Sequence, residues 1–236
     1  MKYFSPLLFF VLLLVSLTSC ATKNEQQQSQ PQIPDITAEE PPAAVPENIP
    51  AGDANILIAY FSMPEDLDTV DAVAGASIVV ENGEKLGNIE YAAKLIQQTT
   101  GGDLFRIETV NDYPLDHDTL VDQAAEEQDE NARPELKAQV ENPEQYDVIL
   151  LGYPNWWSDM PMPVYTFLES YDFGGKTIIP FIIHGGSGAS RTISTIGELQ
   201  PDAQIWEDAL VISRNAAASS AEDVTAWAAG LGFHKT

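Results

Sequence analysis

A single cysteine in 236 residues leaves no disulfide within the chain and no cysteine-based metal site. The three histidines, His117, His184 and His234, lie far apart, and no metal-ligand spacing joins them. Bases are scarce as well: 11 Lys and Arg stand against 36 Asp and Glu, a formal net charge of -25. Such a chain has no basic face with which to neutralise phosphates. That excludes nucleic acid and favours a basic protein, or a small ligand held mainly by uncharged groups. The apolar run at residues 7–17 is too short to span a bilayer comfortably. No internal repeat is present, and no Gly-x-Gly-x-x-Gly follows the first apolar segment, so a dinucleotide-binding domain of that kind is unsupported. Gly175-Lys176-Thr177 fails as a phosphate loop, because Ser170 stands where the first glycine belongs and a strand follows instead of preceding.

What is present begins with Lys2 and the apolar run, which together read as a secretory signal. The run ends in Leu17-Thr18-Ser19-Cys20, which resembles a bacterial lipobox. The resemblance implies removal of residues 1–19, acylation of Cys20 and an extracytoplasmic protein anchored to the bilayer. Residues 20–53 hold five glutamines and six prolines in a stretch too poor in large apolar groups to bury a core, so they read as a disordered tether.

Residues 54–236 form the folded domain. Apolar runs at 55–61, 147–151 and 177–183 are the kind that fill a parallel sheet buried on both faces. Two further strands are expected at 103–110 and 204–212, the latter interrupted near Glu207-Asp208. Helical spacing appears in Ile89, Ala92, Ala93 and Ile96, with Gly101 as the terminal cap. It recurs in 116–130, in Val164, Phe167, Leu168 and Tyr171, and in Val224, Trp227, Ala228 and Leu231. Arg133-Pro134 is read as the start of a short helix, and Ser219 with Glu222 as a capping box. The segment 63–86 is an insertion, acidic at first and then carrying the Asn82-Gly83 signal of a tight hairpin. Strands alternating with helices imply an α/β doubly wound, five-stranded parallel sheet with helices on both faces.

In such a sheet the strand ends at Ser62, Gly152 and His184 converge. The sequence beyond Gly152, Tyr153-Pro154-Asn155-Trp156-Trp157-Ser158, offers backbone amides and two large aromatic faces. Beyond His184, Gly185-Gly186-Ser187-Gly188 lets a ligand approach the backbone closely. A flat apolar ring with a polar edge suits this set. Together with Ile56-Leu57-Ile58-Ala59-Tyr60-Phe61-Ser62 and the downstream Gly87-Asn88, these motifs resemble the flavodoxin-like family, and more narrowly its bacterial lipoprotein members. The resemblance implies strand order 2-1-3-4-5 and FMN at the switch point between the first and third strands. It makes Ser62, Gly87, Asn88, Pro154, Asn155, Trp156, Trp157, His184, Gly185, Gly186, Ser187 and Gly188 the candidate cofactor-binding residues. The compact hydroxyl-rich phosphate loop of flavodoxins is absent: Ser62 and Gly87-Asn88 are split by the insertion, and Ile89 replaces the last hydroxyl residue. A helix N-terminus can still hold a phosphate, with Gly75-Ala76-Ser77 as a rival cradle.

The function expected is electron transfer by bound FMN, as a carrier with a basic redox partner or as a small flavin reductase. A flavodoxin-fold binding lipoprotein without FMN is the competing class. A serine hydrolase using Ser187 with Asp208 and His234 is a minor alternative, weakened by the missing last glycine of the nucleophile elbow.

Overall fold

The computed structural model describes residues 54–63, 78–81 and 83–233. Cys20, the tether, Gly75-Ala76-Ser77 and His234 lie outside the described residues. Among the described residues no helix is long and apolar enough to cross a membrane.

In chain order the elements are β1 (Ile56–Tyr60), β2 (Ile78–Glu81), β3 (Glu84–Gly87), α1 (Asn88–Thr100), β4 (Asp103–Arg106), α2 (His117–Asp129), β5 (Val148–Asn155), α3 (Met162–Ser170), β6 (Thr177–His184), α4 (Thr192–Leu199), β7 (Gln204–Ile205), β8 (Leu210–Ser213) and α5 (Ala221–Gly230). The main sheet runs β4-β1-β5-β6, with β7 and β8 both pairing with β6, and all its pairs are parallel. Counting β7 and β8 as one interrupted strand, this is order 2-1-3-4-5. The chain leaves β1 for β4 on one side and returns to β5 on the other, so the switch point lies between β1 and β5.

Period-two alternation explains why the central strands read as unbroken apolar runs. Ile56, Ile58, Val148, Leu150, Ile179 and Phe181 belong to one core, closed by α1 and α5. Leu57, Ala59, Ile149, Leu151, Ile178 and Ile182 belong to the other, closed by α2, α3 and α4. The α1 stripe is buried, and Gly101 ends the helix with φ 77°.

Several local expectations give way to longer-range pairing. Gly152 does not end its strand, for β5 continues to Asn155 alongside β6. Pro154 is tolerated there because β1 pairs with β5 only as far as Gly152, leaving Pro154 no ladder bond to donate on that side. The strand expected at 103–110 stops at Arg106, after which Thr109 bridges Leu136 in antiparallel fashion. That bridge replaces the helix expected at Arg133-Pro134. The break in the last strand falls opposite Ile179 and Pro180, between the Ile178–Ile205 and Phe181–Leu210 pairs. Pro180 has no N–H for the ladder, so the outer strand loops out and rejoins. The capping box also fails: α5 starts at Ala221, and the Ser220 hydroxyl donates back to the Ala217 carbonyl at 2.8 Å. The hairpin forms as expected, with β2 and β3 antiparallel from Ile78↔Gly87 to Glu81↔Glu84 and Gly83 at φ 83°.

Candidate functional site

Strand register sets the floor of the site. Asn155 of β5 aligns with His184 of β6, and His184 with Ser213 of β8, while β1 ends lower, at Tyr60 opposite Gly152. The step leaves a cleft above β1 and β5. It is lined by Ser62, Met63, Asn88, Ile89, Pro154, Asn155, Trp156, Ile183, His184, Gly185 and Arg214. A second cleft shares Asn155, Trp156 and Arg214, and is completed by Trp157 with His117, Leu120, Val121 and Ala124 of α2.

At the β1 end, buried Ser62 substitutes for a helix cap. Gly87 offers no side chain, and the Glu90 N–H of α1 donates to Ser62 Oγ at 3.4 Å instead. Arg106 donates to the Ser62 carbonyl at 3.2 Å and lies 3.5 Å from the Glu90 carboxylate, which also pairs with Lys94 at 3.3 Å. The one acidic group in the first turn of α1 is thereby offset by two cations, and the turn keeps the positive end of its dipole for an anion.

The aromatic wall is built on a tight turn. Trp156 and Asp159 exchange both backbone hydrogen bonds at 2.9 Å, with Trp157 at φ 51° and Ser158 at φ 64° between them. Two consecutive positive φ values are the signature of a type I′ turn, for which Asn-Gly is the favoured pair. Holding tryptophan and serine there costs on the order of 1–3 kcal/mol each. The turn directs the two indoles apart. Trp156 packs edge-on against Phe61 (5.4 Å) and Tyr113 (6.0 Å). Trp157 is 57% exposed and tied down by its indole N–H to the Val121 carbonyl at 3.2 Å. Burial, and then a hydrogen bond to Glu127, push the Tyr113 phenol well above its ordinary range, so this wall carries no phenolate charge.

The glycine loop is fastened to β5. Asn155 Nδ2 donates to the Gly188 carbonyl at 2.7 Å and to Ser190 Oγ at 2.9 Å. The Gly186 N–H donates to His184 Nδ1 at 2.9 Å. Gly186 and Gly188 have φ 145° and 63°, and a Cβ on either would meet nothing within 4 Å. Their glycines serve the bend of the loop, and only Gly185 of this run lines the cleft. Gly87 likewise acts by starting α1, outside the cleft lining. The hydrolase alternative finds no geometry: Asp208 lies at the level of the middle of β6, whereas exposed Ser187 lies beyond its end.

Sequence reading missed Arg214, the residue immediately after β8, whose chain neighbours give no signal of a site. It also missed Arg106, hidden in an ordinary strand. Arg214 Nε and Asn155 Oδ1 are both buried without a hydrogen-bond partner in the same cleft. An orphaned donor and an orphaned acceptor lining one cleft, with Gly185 and an aromatic wall, fit a planar, acceptor-rich ring with a polar edge.

Residues 78–230 match the flavodoxin family. The chain belongs to that family. The chain is similar to a protein of Bacteroides uniformis assigned as a flavoprotein, with 26% identity, a TM-score of 0.52, and coverage of 74% of this chain and 97% of that one. A Bacteroides eggerthii protein assigned likewise is 25% identical, with a TM-score of 0.50 and coverage of 73% and 98%. A Lactobacillus acidophilus flavoprotein in complex with FMN is 18% identical, with a TM-score of 0.49 and coverage of 73% and 99%. No curated protein matches the chain.

Proposed function

We propose that this protein binds FMN in the cleft between Ser62 and Arg214 and transfers electrons outside the cytoplasmic membrane, tethered through acylated Cys20. The observation that carries the reading is the convergence of the α1 N-terminus, Trp156 and His184-Gly185 in one cleft at the switch point, with Trp157 in the adjoining cleft that shares Trp156 and Arg214. FMN, when bound, supplies the redox chemistry. Ser62 and the first turn of α1 would hold its phosphate, the tryptophans would wall the ring, and Gly185 would let the ring lie against backbone. Purified protein titrated with FMN is expected to quench flavin fluorescence at one equivalent, with a shifted visible spectrum. Unchanged fluorescence would favour the ligand-free binding lipoprotein.

A carrier role fits better than a nicotinamide-dependent reductase. The surface of a chain with net charge -25 steers a basic partner, and that association should slow as salt rises. A hydride donor needs space over the ring, and Trp157 stands beside it.

Two changes probe separate parts of the proposal. Asn88→Asp sets a carboxylate in the first turn of α1, beside the phosphate. It is expected to weaken FMN on the order of tenfold while sparing riboflavin, which has no phosphate. Equal losses for the two flavins would put the phosphate elsewhere. Cys20→Ala is expected to abolish incorporation of a fatty-acid analogue and to release the protein from the membrane fraction, because the acyl chains supply the adhesion. Equal label on both proteins would refute the anchor.

A further inference from the structure

Arg214 is out of place in this chain. Carboxylates outnumber bases by more than three to one, 36 against 11, yet none of those described pairs with this guanidinium. Its backbone is fixed: the Arg214 N–H donates to the His184 carbonyl at 2.8 Å, and its own carbonyl accepts from Ala217. The side chain lies along Gly185, where a Cβ would stand 3.5 Å from Nη1, 3.6 Å from Cζ and 3.7 Å from Nε. It lines both clefts, reaching from the β8 end to the Trp156 wall. Nε is buried and has no partner, and nine-tenths-buried Asn155 leaves Oδ1 unpaired in the same space. Arg214 is half-buried, but its Nε is kept from water without an acceptor, which is costly, and its place points to an acceptor that arrives with the ligand.

We infer that Arg214 binds the pyrimidine edge of the flavin ring and stabilises the negative charge that edge gains on reduction; this rests on FMN being the ligand. The edge presents a ring nitrogen and a carbonyl oxygen side by side, a spacing that the planar guanidinium fork matches with two donors. Uptake of two electrons and one proton by the ring leaves one negative charge there. The cation would therefore favour the reduced form over the oxidised one. The phosphate is the other anionic group on FMN, but Ser62 and the first turn of α1 already offer a site for it at the β1 end. Arg214 instead reaches the aromatic wall. The many acidic groups push the potential of the flavin downward, but those on the surface are screened over about 8 Å at physiological salt. One adjacent, partly desolvated guanidinium is screened far less.

The test compares full-length wild type, Arg214→Gln and Arg214→Lys, each reconstituted with FMN and with riboflavin. Dissociation constants of the oxidised flavins are read by fluorescence, and midpoint potentials by spectroelectrochemistry. Arg214→Gln is expected to weaken the reduced flavin about tenfold more than the oxidised one. That lowers the two-electron midpoint by about 30 mV, to the same degree for both flavins. Arg214→Lys keeps the charge but not the fork, and is expected to fall between. An unchanged midpoint in Arg214→Gln overturns the inference. A loss confined to FMN overturns it in favour of a phosphate contact. If wild type binds neither flavin, the FMN reading itself fails and the inference falls with it.

Discussion

Replacing Trp156 and Trp157 together by alanine is expected to weaken FMN binding by about fivefold to 150-fold. Each aromatic pair contributes on the order of 0.5–1.5 kcal/mol beyond its buried area, and two pairs therefore about 1–3 kcal/mol. The single changes separate two roles. Trp157 is mostly exposed, and its loss removes only ring surface and one hydrogen bond to Val121. Trp157→Ala should leave thermal stability close to that of wild type while still weakening FMN. Trp156 is wedged against Phe61 and Tyr113, so Trp156→Ala should lower both affinity and stability. Fluorescence titration with FMN beside circular-dichroism melting distinguishes the cases. A folded double variant that binds FMN as tightly as wild type would reduce the turn to a structural element.

Gly152→Ala is expected to cost about 3 kcal/mol of folding stability, at the upper end of the range for overpacking a core. A Cβ at 152 would stand 2.1 Å from Phe181 Cζ and 2.3 Å from Cε2, far inside contact distance. Phe181 is 1% exposed and held within the core closed by α1 and α5, so its ring has nowhere to swing. The neighbouring strand position is Tyr60, and β1 cannot yield without breaking its register with β5. The urea midpoint should fall by about 1 M or more. Adding Phe181→Leu to Gly152→Ala should recover part of the loss. The double variant is then more stable than the sum of the two single effects predicts. If the two effects simply add, the contact between Gly152 and Phe181 is not the cause.

Gly152 also shows where local reading reached its limit. A glycine between two apolar stretches reads as a strand end, yet β5 passes through it to Asn155. The glycine is there because a ring on the next strand needs its space, a reason 29 residues away in the chain. The same holds for Asn155. Read locally, it belongs to an aromatic loop; in the fold it is the last strand residue, fastening Gly188 and Ser190 across the site.

The sequence by itself determined the sheet and its helices. Unbroken apolar runs suit strands buried on both faces, and 3.6-residue stripes such as Ile89, Ala92, Ala93 and Ile96 suit helices laid against them; each pattern lies within a few residues of chain. It also brought Ser62, Asn88, Pro154, Asn155, Trp156, His184 and Gly185 to one cleft, since in a doubly wound sheet the carboxyl ends of neighbouring strands must meet. Tertiary structure alone decided which glycines touch the cleft and which bend the loop, where the last strand breaks against Pro180, and that Arg214 brings a cation to a cleft whose own segments hold almost none. A strand-end arginine carries no periodicity and no motif. Its role comes from the cavity it faces and from the absence of a partner, and both are properties of packing between elements far apart in the chain.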